Sequence, residues 1–334
     1  MIARLVGYGL AAAVLGAVTV GALLSQLLEP LADEAPEVLF EVRPGDSLRA
    51  VAERLEREGL VRDALATAWW ARWRGQAAGL HVGEYRLSAA MPPAEILDRI
   101  ASGRVATWEV VIPEGLTADE VARRLVDAGL VDARDFAAAV ADPALARSLD
   151  IEAPTLEGYL FPETYRMPRG RSGAEVAGVL ARQFLRAWEQ VAGRAEERGL
   201  SMHEVVTLAS IVEKETGAVD ERPLIASVFA NRLRRGMRLE SDPTVIYGIR
   251  DFDGNLRRVH LEDQANAYNT YRHLGLPPGP IANPGLEALR AVVEPADTNY
   301  LYFVSKGDGS HHFSPTYREH ANAVDRFQRG GTRR

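Results

Sequence analysis

Hydrophobic residues run without a charge from Leu5 to Leu28, and later in the chain they recur at the spacing of amphipathic helices and short strands. An uncharged run of that length is long enough, as a helix, to cross a bilayer. Arg4 precedes the run, and Glu29 and Asp33 follow it, so the charge bias predicts a cytoplasmic N-terminus and export of the rest. A cleaved signal peptide is the alternative, but the run exceeds a usual signal core and no Ala-x-Ala site follows it closely.

Two segments after this run repeat each other at an offset of 70 residues. Each copy has the pattern of a short strand, a Pro/Gly turn, an amphipathic helix and a Gly stop. The matching pairs are Val51 and Val121, Leu55 and Leu125, Gly59 and Gly129, and Leu60 and Leu130. Two copies are too few for a solenoid, so we predict duplicated βα modules flanking a strand at 83–87 and a helix at 93–102.

Three tryptophans, Trp69, Trp70 and Trp73, lie on the predicted helix between these modules. An aromatic cluster of this kind can stack on sugar rings, but it more often packs in a core, and we expect core packing here.

A predicted helix in the second half of the chain ends in carboxylates. A capping box of Ser201 and Glu204 opens it, and Gly217 is expected to close it in a left-handed conformation. Its apolar stripe comprises Val205, Leu208, Ala209 and Val212. Glu215 lies at the border of this stripe, whereas Glu213 lies about 160° around the helix axis.

A carboxyl group held against apolar side chains has its charged form disfavoured, so we expect the pKa of Glu215 to be raised. The helix C-terminus adds a smaller effect of the same sign, about 0.3–1 kcal/mol, so burial should dominate. A carboxylic acid that stays protonated near neutral pH is suited to general-acid catalysis. The competing interpretation is a solvated helix end, and Glu213 is expected to pair with an Arg or Lys.

Composition limits the function classes. A formal net charge of −7 and a pI near 5.6 argue against a nucleic-acid footprint. The absence of Cys excludes disulfides and Cys-based metal or nucleophile sites. A calcium-like sequence at 251–262 has its Gly at the wrong position, and the adjacent His311 and His312 lack helical metal-ligand spacing. We therefore expect no metal.

Several motifs resemble, in order, those of the endolytic murein transglycosylases, the MltG or YceG-like family. The motifs are Leu156-Glu-Gly-Tyr-Leu-Phe-Pro-Glu-Thr164, Ala209-Ser-Ile-Val-Glu-Lys-Glu-Thr216, Ser241-Asp-Pro-Thr-Val-Ile-Tyr-Gly248, Tyr268-Asn-Thr-Tyr271 and Gly275-Leu-Pro-Pro-Gly279. The resemblance is densest over 155–329, and residues 38–105 resemble the divergent LysM-like subdomain of that family.

The resemblance implies cleavage of the MurNAc–GlcNAc bond of peptidoglycan glycan strands, with 1,6-anhydro-MurNAc ends and no cofactor. It implies that Glu215 is the catalytic acid and then base, which agrees with the argument from the helical face. Thr216 is expected to hydrogen-bond Glu215 or the sugar. Further substrate contacts are expected from Glu157, Glu163, Asp242, Asn269 and Tyr271, although loop salt bridges or loop hydrogen bonds explain Glu157, Glu163, Asn269 and Tyr271 equally well.

We predict an α+β fold: an N-terminal transmembrane helix, a small LysM-like or βα domain, and a larger mixed α+β catalytic domain. The predicted segments are cytoplasmic residues 1–4, the transmembrane helix 5–28, a tether 29–37, a LysM-like subdomain 38–105, a second βα module 106–150 and a catalytic domain 151–330. The resemblance implies a single-pass protein of the bacterial inner membrane with a periplasmic catalytic domain and, as partners, the membrane and cell-wall synthesis proteins.

Two other functions remain open from the sequence. One is a muramidase-type hydrolase in which Glu157 or Glu163 is a second carboxylate beside Glu215, since hydrolases flank the bond with two carboxyl groups. The other is a non-catalytic peptidoglycan-binding scaffold.

Overall fold

The structure, a computed structural model, describes residues 15–16, 18–19, 21–23, 25–76 and 79–329. The predicted cytoplasmic segment 1–4 lies outside these residues, and so does much of the predicted transmembrane segment 5–28. Among the residues that are described, no helix is both long and apolar enough to cross a bilayer.

The chain divides into two compact units. The first contains the residues up to Trp108 together with Arg166–Gly170, and the second contains Glu109–Tyr165 and the residues from Arg171 onward. Most of the predicted second module, 106–150, therefore groups with the second unit, whereas we had expected a small N-terminal domain that extends to about residue 150. Both units combine helices with small two-stranded sheets, as expected of a mixed α+β fold.

The first unit is built on an antiparallel strand pair in which Phe40 lies opposite Tyr85. Alternation along each strand turns these two side chains inward, where they pack against Val51 and Ile96 in a buried apolar cluster. The elements of this unit are β1 (Val38–Val42), α1 (Leu48–Arg57), α2 (Ala64–Trp73), β2 (Gly83–Leu87) and α3 (Pro93–Ala101).

The predicted repeat is present in the structure. Strand β3 (Trp108–Ile112) and helix α4 (Ala118–Asp127) recur 70 residues after β1 and α1 at every boundary. Gly59 and Gly129 end the two helices with φ of 69° and 68°. The strands differ in their partners, because β1 pairs with β2 whereas β3 pairs with β4 (Glu163–Met167).

The expectation that the tryptophans pack in the core is wrong for two of them. Trp69 and Trp73 on α2 are 49% and 67% exposed, and only Trp70 is partly buried.

At the centre of the second unit lies helix α9 (Met202–Glu215), which packs against α10 (Arg222–Arg234) and α13 (Leu286–Val293). The predicted capping box forms, since the Ser201 hydroxyl accepts from the Glu204 N–H while the Glu204 carboxylate accepts from the Ser201 N–H. The other elements are α5 (Ala133–Val140), α6 (Pro143–Ser148), α7 (Gly173–Trp188), α8 (Ala192–Glu197), α10 (Arg222–Arg234), α11 (Asp242–Tyr247), α12 (Arg258–Glu262), α13 (Leu286–Val293), β5 (Tyr302–Ser305), β6 (His311–Ser314) and α14 (Tyr317–Val324).

Helix α9 is buried on more than the predicted stripe, because every residue from Val205 to Val212 is buried. It ends differently from the prediction. Thr216 follows the last helical residue in an extended conformation, with φ −146° and ψ 137°, and Gly217 is not left-handed. The extended Thr216 turns the chain away directly after Glu215.

The repeat gives a matched test of stability. Gly59→Ala and Gly129→Ala should each destabilise the protein by about 1 kcal/mol, because both positions need a left-handed backbone that Ala adopts with strain. Gly193→Ala, inside α8 with open space at its Cβ and no positive φ, is the control and should stabilise slightly. Thermal unfolding midpoints measure all three, and equal effects of Ala at the three positions would contradict the assignment of the two helix stops.

Candidate active site

Glu215 is the last residue of the buried helix α9, and it lies in the wall of a cleft of about 460 Å³. The hydroxyl of Ser241, the residue before α11, donates a hydrogen bond of 2.5 Å to its Oε1. Ser241 is itself buried. The position of this carboxyl group is thus fixed by a second segment of the chain.

Burial raises the pKa of Glu215 to about 7, and the nearby Asp242 carboxylate adds to this by repulsion. The Ser241 hydrogen bond and the positive charges of His311 and Arg232 act in the opposite direction and lower the pKa. Burial is the largest effect, as the sequence predicted. The group is therefore partly protonated at neutral pH.

Arg232 on α10 is a buried cation that joins three parts of the cleft lining. Its Nε donates to the Leu301 carbonyl at 2.7 Å and its Nη1 donates to the Leu239 carbonyl at 2.8 Å. Its charge pairs with Glu240 at 3.1 Å, and its guanidinium lies 5.1 Å from the ring centre of Tyr302. Because Arg232 is tied to these groups, it shapes the cleft and is not free to leave it.

Asp242 and Tyr271 line the same cleft as Glu215. The Tyr271 hydroxyl donates to Asp242 Oδ1 at 2.7 Å. The structure therefore brings together three of the residues that the sequence singled out. Glu240 adds another carboxylate to the lining.

His311, the first residue of β6, also lines the cleft and is held by Glu221. Its backbone N–H donates to Glu221 Oε1 at 2.9 Å, and its ring Nδ1 lies 2.6 Å from Glu221 Oε2. A carboxylate accepts hydrogen bonds, so we assign the proton of this contact to Nδ1 of His311.

A sequence profile of the YceG-like family matches residues 40–326, which is most of the chain. The chain belongs to the YceG-like family.

Relatives of this YceG-like chain carry a functional name. An endolytic murein transglycosylase of Bacillus subtilis is 30% identical over 90% of this chain and 88% of its own length. An endolytic murein transglycosylase of Streptococcus pneumoniae is 28% identical over 90% of this chain, which spans 60% of that protein. The crystal structure of a yceG-like protein from Listeria monocytogenes superposes with a TM-score of 0.60 at 30% identity, over 87% of this chain and all of the other.

Glu157 of this YceG-like chain lies outside the cleft lining. The Ala118 N–H donates to both of its carboxylate oxygens at 3.0 Å, and Asn283 and Tyr247 donate side-chain hydrogen bonds at 3.1 and 3.2 Å. Burial raises the pKa of Glu157 to about 7, against the hydrogen bonds from the Ala118 N–H and the Tyr247 hydroxyl, which lower it. Its partners come from three separate segments, so Glu157 joins parts of the fold, which differs from the expected substrate contact.

Three other expected contact residues also lie elsewhere. Glu163 is exposed on β4 and accepts from the Thr164 N–H. The amide of Asn269 is buried and donates to the carbonyls of a loop, at 2.7 Å to Asp263, which matches the loop-stabilising interpretation. The Thr216 hydroxyl accepts from the Ala218 N–H at 2.9 Å. This bond leaves its own hydrogen free to donate, so the expected bond to Glu215 or to the sugar stays a prediction.

Glu213 has the structural role that the sequence predicted. It pairs with the buried Arg222 at 2.6 Å, and it also accepts from the Gly285 N–H at 3.0 Å. Arg222 pairs in turn with Glu114. These contacts fix the last turn of α9, two residues before Glu215.

Sequence reasoning missed Ser241, Glu240, Arg232 and the pair of His311 with Glu221. Ser241 stands in a matched motif, but only Asp242 was selected from it. From the sequence, His311 was considered only as a metal ligand. No local pattern pairs it with Glu221, which lies 90 positions away.

The two buried carboxyl groups with raised pKa should differ in how replacement changes stability, because Glu157 accepts more hydrogen bonds than Glu215. The folded state holds the Glu215 proton up to pH 7, so its stabilising effect is complete below about pH 4.5 and is lost as pH rises through 7. Glu215→Gln should therefore stabilise the protein at pH 8 by up to about 3 kcal/mol and change little below pH 4, since each pKa unit is worth about 1.4 kcal/mol.

Glu157→Gln is the matched comparison. Its amide group would meet the Ala118 N–H in place of a carboxylate oxygen, so we expect destabilisation by about 1–3 kcal/mol at pH 4. At pH 8 the loss should be smaller, because the pKa of Glu157 is also raised to about 7 and the amide removes the same cost of ionising a buried carboxyl group. Denaturant unfolding at pH 4 and pH 8 measures both variants. A Glu215→Gln protein less stable than wild type at pH 8 would contradict the assigned pKa.

Proposed function

We propose that this chain is an endolytic lytic transglycosylase of peptidoglycan, which cleaves the MurNAc–GlcNAc bond of glycan strands and leaves 1,6-anhydro-MurNAc ends. The observation that supports it most is a single carboxyl, Glu215, held partly protonated near neutral pH in the wall of an open cleft. The relatives named endolytic murein transglycosylase supply the substrate class.

In the first step, protonated Glu215 donates its proton to the glycosidic oxygen, and C1 of MurNAc gains oxocarbenium character as the bond breaks. Ser241 donates to Oε1, so the transferred proton is assigned to Oε2. Transfer by a positioned acid is worth about 10²–10⁴-fold in rate, or about 3–5 kcal/mol.

In the second step, ionised Glu215 takes the proton of the C6 hydroxyl, and that oxygen closes onto C1 as the 1,6-anhydro ring. The Ser241 hydroxyl stabilises the carboxylate formed between the two steps. No water is consumed, because the C6 hydroxyl is the nucleophile. One residue thus serves as acid and then as base.

The other carboxylates of the cleft face the same reaction. Asp242 provides negative charge in the cleft lining beside Glu215, whereas the charge of Glu240 is paired with Arg232. Preorganised negative charge of this kind would stabilise the positive charge that develops on the sugar. Asp242 also disfavours ionisation of Glu215, which keeps the acid protonated before the reaction.

A two-carboxylate hydrolase is the second candidate, and the cleft changes which residue it needs. Glu157 and Glu163 lie outside the cleft lining, whereas Asp242 and Glu240 belong to it. A hydrolase would therefore use one of these two acids to activate water. A non-catalytic peptidoglycan-binding scaffold would not need a carboxyl group with a raised pKa in the lining of a cleft.

We extend the proposal to the location of the enzyme. The uncharged run from Leu5 to Leu28 and the acidic residues after it support a single-pass anchor in the inner membrane with a periplasmic catalytic unit. Proteins of cell-wall synthesis would be its partners at that membrane.

The pH dependence of cleavage tests the assignment of the acid. Glu215→Gln should lower kcat by at least about 10²-fold, because the amide cannot donate or accept the proton. In the wild type, kcat/KM should fall as pH rises through about 7, where free Glu215 loses its proton.

Two neighbouring substitutions should move this fall in opposite directions. Ser241→Ala removes a hydrogen bond that lowers the pKa, so the fall should shift to higher pH; Asp242→Asn removes a charge that raises it, so the fall should shift to lower pH. Release of reducing and anhydro ends from purified strands measures the rates. Shifts in the same direction would argue against Glu215 as the titrating acid.

The product separates transglycosylase from hydrolase. New ends should carry 1,6-anhydro-MurNAc without label from ¹⁸O-water, because the intramolecular C6 hydroxyl has an entropic advantage over water of several kcal/mol. Mass spectrometry of the released fragments measures this. Labelled reducing ends as the main product would favour the hydrolase, and their loss in Asp242→Asn or in Glu240→Gln would identify the second acid.

A further inference from the structure

Helix α2 of the first unit is apolar apart from Thr67 and Arg72, which is unusual for a helix at a protein surface. Its inner side packs in a cluster with α1 and α3, where Ala68 and Ala71 meet Leu48 and Leu97. Its outer side is exposed. A largely apolar helix normally has a partner on each side, but among the described residues the outer side of α2 stays exposed at Leu65, Trp69 and Trp73.

The outer side carries Leu65, Trp69, Arg72 and Trp73, which we call the tryptophan face. Leu65, Trp69 and Trp73 recur every fourth residue along one side of the helix, and Leu65 is 67% exposed. The rings of Trp69 and Trp73 are nearly parallel, with centres 6.5 Å apart. Contiguous exposed apolar surface of this kind marks an interaction site.

The tryptophan face begins close to where the N-terminal apolar run ends. Arg62, two residues before α2, donates to the Pro30 carbonyl at 2.7 Å. The N–H groups of Leu31 and Ala32 donate to the Ala89 carbonyl at 2.9 and 3.2 Å. The segment expected to be a tether is therefore attached to the first unit, and the run that ends at Leu28 is held near the start of α2.

We propose that the tryptophan face lies in the headgroup region of the bilayer that holds the N-terminal anchor. The inference rests on the proposed anchor. An α-helix of ten residues is about 15 Å long, so every residue of the face is within that distance of the start of α2, which follows Arg62 and its contact with Pro30 by two residues. Tryptophan prefers the membrane interface, because its ring is apolar and its N–H is polar.

The charges around the helix suit this position. Arg62 and Arg72 stand against the single acid Asp63 between residues 62 and 72, in a chain of net charge −7, whereas Arg74 is already paired with Asp98. Arginines beside an apolar helical face bind anionic headgroups. Since Asp33 and Glu34 near Pro30 oppose this attraction, insertion of the apolar side chains must provide most of the contact.

A glycan strand fits the same surface less well. Sugar binding needs polar side chains beside the stacked ring, free to bond the hydroxyls. The polar neighbours at the end of α2, Arg74 and Gln76, both already contact Asp98. We therefore choose the bilayer as the occupant and keep the glycan as an outcome of the experiment.

The test is quenching of tryptophan fluorescence by brominated lipid. The full chain is reconstituted into phosphatidylcholine–phosphatidylglycerol vesicles whose acyl chains carry bromine near the headgroups, and flotation first establishes that it is bound. Emission should be quenched, and Trp69→Phe with Trp73→Phe should remove more than about half of the quenching, because interfacial tryptophans lie within reach of the bromine. Trp188→Phe, in the second unit, is the matched control and should leave the quenching intact.

Each result decides the inference. If the chain floats but its emission is not quenched, or is quenched equally without Trp69 and Trp73, the tryptophan face does not lie in the headgroup region. The proposed N-terminal anchor is unaffected by that result. A chain that does not float overturns both, while cleavage of glycan by the same preparation would leave the proposed activity unaffected. Glycan strands that shift the emission of Trp69 and Trp73 in the absence of lipid would identify the face as a sugar platform.

Discussion

The hydrogen bond from Ser241 to Glu215 joins the end of the central helix α9 to the start of α11, across 26 positions of sequence. Around it lie the groups that decide whether the carboxyl keeps its proton: Asp242 next to Ser241, and His311 and Arg232 from other elements. Residues Val205–Val212 of α9 are buried, and Glu215 at the end of the helix lines the cleft. The geometry of the site follows from ending a buried helix with an acid.

Two buried carboxyl groups in the second unit show that the surroundings decide whether such a group is suited to catalysis or to a structural role. Both Glu215 and Glu157 have pKa values raised to about 7 by burial. Glu157 accepts hydrogen bonds from several parts of the fold, so little of it is free for another partner. Within the described part of the chain, Glu215 accepts a side-chain hydrogen bond from Ser241 and lines the open cleft, and an acid needs such an open side to reach a substrate. A raised pKa alone therefore does not identify a catalytic residue.

The sequence pattern predicted those features of the fold that depend on residues close together in the chain. The capping box and apolar stripe predicted helix α9 and the burial of Glu215, and the repeat of 70 residues predicted a strand followed by a helix in each of its two copies. The contacts of Ser241, Arg232 and Glu157 could not be predicted, because their partners come from distant segments and no periodicity reports such pairings. The exposure of Trp69 and Trp73 was missed for a related reason, since an apolar helix looks the same whether one or both of its sides are covered.

The repeated strand–turn–helix module has a consequence for folding. Its internal contacts are local in sequence, so each copy can form quickly, but the partner strand of each copy lies about 40 to 50 residues further along the chain, and closing such a loop requires chain entropy to be lost first. The two copies then join different strands and end in different units. Correct folding thus requires β1 to pair with β2 and β3 to pair with β4, without exchange of partners. Because the two modules are alike, the sequences of β2 and β4, which differ, must provide this specificity.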